Sequence, residues 1–183
     1  MVIALTGAGI SSASGIPTFA EQPSIRNQLE RQYATQHPHE YRQVIEAMKM
    51  ACDVAVPNDA HLALAEYAVP VITMNVDGLH QRAGSEHVLA IHGTLPDIVL
   101  YGDPAPRYQD AFAWGDRLRE GDIFLIIGTS FFTTISTQLK MSAMERGALI
   151  REINADAEHR VRAFLETLYG CNFDEFMARE CEF

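Results

Sequence analysis

The sequence has few cysteines, and none of them forms a recognisable pair. Three cysteines occur in 183 residues, and no C-x-x-C motif is present. Closely spaced cysteines are the usual mark of a disulfide framework or a zinc knuckle. We therefore expect a cytoplasmic chain without disulfides and without a bound metal. Cys52 and Cys171 fit the role of small core residues.

Positive charge is scarce as well, and long apolar runs are absent. The chain has 14 Lys and Arg against 24 Asp and Glu, a formal net charge of -10. This charge argues against nucleic acid or an anionic membrane surface as the main partner. No apolar run is long enough to cross a bilayer, and the N-terminus has no signal-peptide pattern. With 48% hydrophobic residues, one compact globular domain is expected.

What the sequence does contain is an alternation of short apolar runs and helical patterns. Segments 59–68, 107–119 and 134–145 have helical spacing. Six apolar runs are typical of buried strands, at 2–5, 71–74, 88–91, 98–100, 123–127 and 149–153. This alternation predicts an α/β fold, in which a Rossmann-like parallel sheet has helices on both faces.

One segment interrupts the alternation. Residues 21–50 contain no strand candidate, and "SIRNQLERQYA" and "HEYRQVIEAMKMA" both have helical patterns. An ordinary dehydrogenase fold would have a second strand here, ending in an acidic residue for the ribose. We predict instead a single domain over 1–183, with a small helical lobe and cofactor loop inserted at 19–58. Pro57 and Asn58 would end the lobe.

The first apolar run ends in a glycine turn, "TGAGISSASGIP". Gly7 and Gly9 allow a close backbone approach, and a helix starting near Ser11 would direct free N–H groups at a phosphate or pyrophosphate. A single G-x-G is weak evidence, because a tight strand-to-helix turn that binds nothing has the same pattern.

Polar residues also follow the other predicted strands. Ligands of such sheets lie beyond the carboxyl ends of the strands, so these residues would meet in one crevice with the glycine turn. Taken singly, each could be a turn former, a helix cap or a buried histidine. The residues are Asn75, Asp77, His92, Gly128, Thr129, Ser130 and Asn154.

The motifs in their order resemble those of sirtuins, the NAD-dependent protein deacylases. The matching stretches are "GAGISSASGIPTF", "PNDAHLAL", "TMNVDGLHQRAG", "IHG", "GTS" and a late "IN", and they extend over nearly the whole chain. The resemblance implies a Rossmann-like domain that binds NAD, a smaller lobe and a flexible cofactor loop.

The resemblance also implies roles for individual residues. His92 would be the general base, and Asn75 and Asp77 would line the nicotinamide pocket and act as catalytic residues. Further cofactor-binding positions would be Gly7, Ala8 and Gly9 at the pyrophosphate, Ile16, Pro17 and Phe19 on the cofactor loop, Gly128, Thr129 and Ser130 at the phosphate or adenosine side, Asn154 at the adenine ribose, and Cys171.

The family's reaction suits these residue types. The acyl oxygen of a modified lysine attacks the ribose carbon that bears nicotinamide, so bulk water has to be excluded while nicotinamide leaves. A ribose hydroxyl later gives up its proton to a base, and an imidazole that titrates near neutrality suits that step. No metal is needed for this chemistry.

The stretch "PDIVLYGD" resembles the family segment that pairs with the substrate peptide. Residues Ile98, Val99, Leu100 and Tyr101 would bind the acylated lysine of a protein or peptide by adding it as a strand. An ordinary buried strand is the other interpretation of this run.

The chain departs from the family pattern at several positions, among them Met74, which stands where the family has a glutamine. The family usually has four zinc-binding cysteines after "HG", whereas Gly93 is followed directly by "TLPDIVLYG", so no structural zinc is expected. Ala20 stands where the family has an arginine, which leaves Arg26 or Arg31 as a possible replacement near the phosphates.

Three functions remain open on the sequence alone. The first is an NAD-dependent lysine deacylase, the second is a sirtuin-fold NAD hydrolase or ADP-ribosyltransferase, and the third is a non-catalytic NAD-binding module. His92 argues against the third, and the peptide-pairing segment favours the first over the second.

Overall fold

The computed structural model describes residues 1–18, 21–129 and 133–170. Their strands are β1 (Val2–Thr6), β2 (Val71–Thr73), β3 (Val88–Ala90), β4 (Gly93–Thr94), β5 (Asp97–Ile98), β6 (Ile123–Ile127) and β7 (Leu149–Ile153). Five of them form one sheet in the order β3-β2-β1-β6-β7, and all neighbours in it are parallel. The predicted Rossmann-like α/β architecture is confirmed.

Helices pack on both faces of this sheet. The described helices are α1 (Pro23–Gln28), α2 (Arg31–Gln36), α3 (Pro38–Val54), α4 (Asp59–Glu66), α5 (Leu79–Arg82), α6 (Tyr108–Gly115), α7 (Thr134–Glu145) and α8 (Ala157–Gly170). Residues of α4 and α8 join the core on one face, and residues of α6 and α7 join the core on the other. In β1, Val2 and Ala4 face the first core while Ile3 and Leu5 face the second, which is why the run is apolar throughout.

The glycine turn leads into a 3₁₀ helix, Ala8–Ser14, where the sequence predicted a helix start near Ser11. Gly15, in the left-handed region with φ +82°, ends this helix. After the helical segment the chain returns to the sheet domain at Asn58. The Asn58 side chain accepts a hydrogen bond from the Ala60 N–H at 3.1 Å and so caps α4.

The helical segment α1–α3 has a small core of its own. Leu29, Ala34 and Ile45 are buried there together with Leu100 from the segment after β5. The predicted absence of a strand between residues 21 and 50 holds in the described chain. The lobe boundaries at 19–58 stay a prediction.

The predicted helix through "SIRNQLERQYA" is broken into α1 and α2. Glu30 has an extended backbone with φ -78° and ψ 139°, and it forms an isolated parallel bridge with Tyr101. A backbone contact with a distant segment therefore interrupts a helical pattern, and local spacing could not reveal it.

The expectation that residues 98–100 form a strand of the parallel sheet is wrong. Only Ile98 of that run is in a strand, and β5 pairs antiparallel with β4 in a separate hairpin. The physical reason is the short connection, because a parallel partner needs a crossover of about a dozen residues or more.

Candidate active site

The carboxyl ends of the five parallel strands meet at one edge, as predicted. Backbone N–H groups just past one strand donate to the last residue of its neighbour: Gly7 to Ile127 at 2.9 Å and Met74 to Thr6 at 3.0 Å. The chain moves outward from β1 to β3 on one side and from β6 to β7 on the other. The point between β1 and β6 is therefore a topological switch point, where open α/β sheets bind ligands.

The glycines of this edge are needed for the packing of two turns against each other. The Gly9 N–H donates to the Gly128 carbonyl at 2.8 Å. A Cβ on Gly9 would lie 2.7 Å from the Gly128 Cα, and a Cβ on Gly128, at φ +60°, would lie 2.2 Å from the Ile10 nitrogen. The turn after β1 thus touches the turn after β6, and both lie at the switch point.

Asn75 and Asp77 meet the glycine turn through Ser11. The Asn75 amide donates to the Gly7 carbonyl and to the Ser11 Oγ, both at 3.1 Å, and the Ser11 hydroxyl donates to the Asp77 Oδ2 at 2.7 Å. Asp77 Oδ1 accepts the Leu79 N–H at 2.9 Å, so this carboxylate also caps α5. Ser11 is fully buried, and it links the two predicted pocket residues.

His61 extends this network on its buried side. The Asn58 amide donates to the Ile10 carbonyl at 2.7 Å, which leaves the Asn58 Oδ1 to accept from His61 Nδ1 at 3.0 Å. In the neutral ring Nε2 is then an acceptor, 3.4 Å from Ser11 Oγ. Burial lowers the pKa of His61 to about 4, although the Asp77 charge acts in the opposite direction.

His80 lies next to His61 and is equally buried. The two ring centroids are 4.8 Å apart, and His80 Nε2 is 2.9 Å from Thr6 Oγ1. Among the described residues, His80 Nδ1 has no hydrogen-bond partner. Burial lowers the pKa of His80 to about 3, with a smaller lowering by His61, so the ring is neutral at physiological pH.

A cavity of about 380 Å³ opens beside the polar cluster. Its polar wall includes Ser11, Asn75 and Asp77, and Ala8, Ile16 and Pro17 of the predicted cofactor positions also line it. The opposite wall is apolar and comes largely from α3, with Val44, Ala47, Met48, Ala51 and Cys52. Cys52 is 7% exposed, which confirms it as a small buried residue.

The predicted adenosine side lies at the ends of β6 and β7. The Thr129 N–H donates to the Asn154 Oδ1 at 3.1 Å, which joins the two strand ends beside Gly128. The remaining predicted cofactor residues, Phe19, Ser130 and Cys171, lie outside the described residues.

His92 follows β3 at the same edge, but in a more open environment than the other two histidines. Its ring meets the Tyr108 ring edge-on, with centroids 5.7 Å apart. Burial lowers its pKa below the ordinary histidine value. Its carbonyl accepts the Val99 N–H at 2.9 Å, so the candidate base is joined directly to the predicted peptide-pairing segment.

Some backbone groups of the predicted substrate residues are already hydrogen-bonded within the chain. Ile98 pairs with Gly93 in the hairpin, and the Tyr101 N–H donates to the Leu29 carbonyl at 3.0 Å. Leu100 is buried against the core of α1–α3. The Leu100 N–H is 3.4 Å from a carboxylate oxygen of Asp103, a long contact.

Both arginines proposed as phosphate ligands have other partners in the structure. Arg31 donates two hydrogen bonds to Asp103, and the Arg26 guanidinium lies over the Tyr101 ring, 5.4 Å from its centroid. Both side chains contact the segment after β5, and their replacement of the family arginine stays a prediction.

Sequence reasoning missed Ser11 and His61 as site residues. Both are buried polar residues in otherwise apolar or turn-forming stretches, and that mismatch was the available signal. His61 and Asp77 lie 50 and 66 residues from Ser11 along the chain, so no local spacing reveals that these side chains meet.

The described side chains and helices bear on metal and membrane binding. Within residues 1–18, 21–129 and 133–170, no group of three or more His, Cys, Asp or Glu side chains could hold a metal ion. In the same ranges, no helix combines the length and the apolar character that a bilayer span requires.

Comparison with known proteins decides the family. Residues 7–95 match the Sir2 family model. The chain is 33% identical, over 201 aligned positions, to NAD-dependent protein deacetylase 1 of Pyrobaculum aerophilum, covering 84% of this chain and 78% of the relative. The chain belongs to the Sir2 family. A second relative, NAD-dependent protein deacylase 1 of Caldanaerobacter subterraneus, is 30% identical over 203 positions, with 85% and 83% covered.

Solved structures share the Sir2 fold with this chain. A Sir2 homologue in complex with NAD has a TM-score of 0.83 at 23% identity, covering 92% of this chain and 89% of its own. A Sir2 complex with a p53 peptide and NAD⁺ has a TM-score of 0.80 at 24% identity, covering 91% and 92%. The sirtuin resemblance of the sequence motifs is thereby confirmed.

Proposed function

We propose that the chain is an NAD-dependent protein lysine deacylase, which releases nicotinamide and O-acyl-ADP-ribose. The two relatives above are named as an NAD-dependent protein deacetylase and deacylase. The observation that favours a deacylase over a simple NAD hydrolase is the hydrogen bond from the Val99 N–H to the His92 carbonyl. It holds the candidate base beside the segment that would carry the acylated peptide.

The residues present fit NAD. Two glycine-bearing turns meet at the switch point of the sheet, which is the usual place for a dinucleotide. The cavity beside them combines an apolar wall with the Asn75 Oδ1 and the carboxylate of Asp77, which can accept hydrogen bonds from the NH₂ group of a carboxamide. Thr129 and Asn154 would hold the adenosine side. When bound, NAD supplies the electrophilic ribose carbon and the ribose hydroxyls.

The protein's own residues would divide the work as follows. Asn75 and Asp77, held by Ser11, orient the nicotinamide end and keep water from it. His92 accepts the proton of a ribose hydroxyl at its ring nitrogen. Its lowered pKa keeps the ring neutral at neutral pH, and a neutral imidazole is the form that can act as a base.

One incubation tests this assignment. The protein is mixed with NAD alone, with NAD and an acetyl-lysine peptide, and with NAD and the same peptide bearing unmodified lysine. Peptide-dependent nicotinamide release with O-acetyl-ADP-ribose is the expected result. Equal release in all three mixtures would identify an NAD hydrolase, and no release in any would leave a binding module.

We also propose that this member functions without structural zinc. The chain passes from Gly93 to Ile98 in a six-residue hairpin, where the family pattern has a cysteine-bearing ribbon. Zinc sites of that kind need four closely arranged ligands. Elemental analysis of the purified protein should find far less than one zinc per chain, and a chelator should leave the thermal unfolding midpoint unchanged. One zinc per chain would contradict the proposal.

A further inference from the structure

Arg31 of α2 holds Asp103, which follows the predicted peptide-pairing segment. Its Nε donates to the Asp103 Oδ1 at 2.7 Å and its Nη2 to the Oδ2 at 2.5 Å. This is the paired, fork-like geometry that distinguishes arginine–carboxylate contacts from single ion pairs. The residues are 72 positions apart, so the contact joins two separate parts of the chain. We call it the Arg31–Asp103 clamp.

The backbone reinforces the clamp at the next residues. The Arg31 N–H donates to the Tyr101 carbonyl at 2.8 Å, and the Tyr101 N–H donates to the Leu29 carbonyl at 3.0 Å. The Arg26 guanidinium lies over the Tyr101 ring on the same side. Tyr101 therefore has one backbone edge fixed by the helical segment α1–α3, and the clamp lies directly beyond it.

The position of the clamp separates it from the cofactor pocket. Neither Arg31 nor Asp103 lines the cavity beside Asn75 and Asp77. Arg31 is 55% exposed, so solvent screens the ion pair and limits its contribution to global stability despite the paired geometry. Its main effect should therefore be local, on the conformation of residues 98–103.

We propose that Arg31 and Asp103 are positioning residues for the acylated peptide, holding residues 98–101 extended before the peptide arrives. The inference rests on the proposed deacylase function. A peptide that adds to a strand gains backbone hydrogen bonds, but it loses affinity if it must also order the receiving segment. The clamp removes that ordering step from peptide binding.

The first test is the binding and turnover of an acetyl-lysine peptide by Arg31→Ala. We expect the peptide Kd, by calorimetry, and the peptide KM to rise about 5–10-fold. The kcat and the affinity for NAD should stay within about twofold, because neither residue lines the cofactor cavity. Arg42→Ala is the matched control, since the one hydrogen bond of the Arg42 side chain within the described part of the chain goes to the Pro38 carbonyl of its own helix, at 3.3 Å.

Rescue variants distinguish positioning from general damage. Arg31→Lys should restore only part of the peptide affinity, because a lysine cannot make the paired contact. Asp103→Arg should raise the peptide Kd as Arg31→Ala does. The double variant Arg31→Asp with Asp103→Arg should recover most of the affinity, because it rebuilds the ion pair with the charges exchanged.

Hydrogen exchange supplies a readout that does not depend on catalysis. In the protein without ligands, amides of residues 98–103 should exchange faster in Arg31→Ala than in wild type, while the strands of the sheet stay unchanged. Faster exchange with a raised peptide Kd supports the clamp even if the wild type fails to turn over peptide, which would refute the deacylase function alone. Unchanged exchange, an unchanged peptide Kd, or a wild type that binds no acetyl-lysine peptide would each overturn the clamp proposal.

Discussion

Three histidines lie at the same edge of the sheet, and they occupy two different environments. His61 and His80 are fully buried, with ring centroids 4.8 Å apart, and they are hydrogen-bonded to Asn58 and Thr6 respectively. His92 is only partly buried, its ring meets the Tyr108 ring edge-on, and its carbonyl accepts a hydrogen bond from the Val99 N–H.

The contrast separates residues that build the pocket from a residue that can act in it. Both buried rings are neutral, and their hydrogen bonds to Asn58 and Thr6 stabilise the elements around Ser11 and Asp77. His92 is only partly buried, and burial lowers its pKa, so the ring is neutral and accessible for proton transfer. The predictions below test whether function and stability divide between the two environments in this way.

The largest expected effect is on catalysis by His92→Ala. Loss of a general base typically costs about 10²–10⁴-fold in rate, so kcat for deacylation should fall by that factor. The affinity for NAD, measured by calorimetry, should change little, because a base makes few contacts with the bound ground state. His87→Ala, at an exposed position just before β3, is the control. Near-normal deacylation would remove His92 from this role.

A smaller effect, and one on stability, is expected for His80→Ala. The change leaves a cavity and deprives the buried Thr6 hydroxyl of its partner, which together should lower the free energy of unfolding by about 2–4 kcal/mol. Urea denaturation at pH 7 measures this. Activity per folded molecule should fall far less than in His92→Ala. A stable protein with lost activity would reverse the proposed division between the histidines.

The stability of the protein should also depend on pH through the buried pair. The folded pKa values, about 4 for His61 and about 3 for His80, lie below the unfolded value of about 6.5. Between pH 6.5 and 4 the unfolded chain therefore binds more protons, and the free energy of unfolding falls as pH falls.

The expected slope is about 1 kcal/mol per pH unit for each buried histidine. Urea denaturation between pH 7 and 5 covers a range in which ordinary carboxylates stay ionised. In His80→Gln the slope should be close to half that of the wild type. A flat profile between pH 6.5 and 5 would mean that the two rings are protonated in the folded protein.

The sequence predicts those parts of the fold that depend on short-range pattern. The runs at β1 and β6 are apolar because both of their faces are buried, and α7 begins and ends at the predicted residues. Asn75, Asp77 and His92 lie at one edge of the sheet because each comes within a few residues of a strand end, and parallel strands end at one edge.

The rest depended on partners far along the chain. Ser11 joins the site through its hydrogen bond to Asp77, and α1 and α2 are separated by the bridge between Glu30 and Tyr101. Residues 98–100 stay out of the parallel sheet because β5 pairs with β4 in a short hairpin. None of these pairings leaves a periodic signal, so propensity alone predicted a longer helix and an additional strand.

The most direct test of the central claim separates the two stages of the reaction in His92→Ala. With NAD and acetyl-lysine peptide present, the exchange of labelled nicotinamide into NAD reports the step before proton transfer, and O-acetyl-ADP-ribose reports the step after it. Asp77→Ala should lose exchange by about 10-fold or more, since a hydrogen bond to a charged group is worth about 1.5–3 kcal/mol. His92→Ala should keep exchange and lose product. If His92→Ala loses both to the same extent, or makes product at the wild-type rate, the assignment of His92 as the base is contradicted.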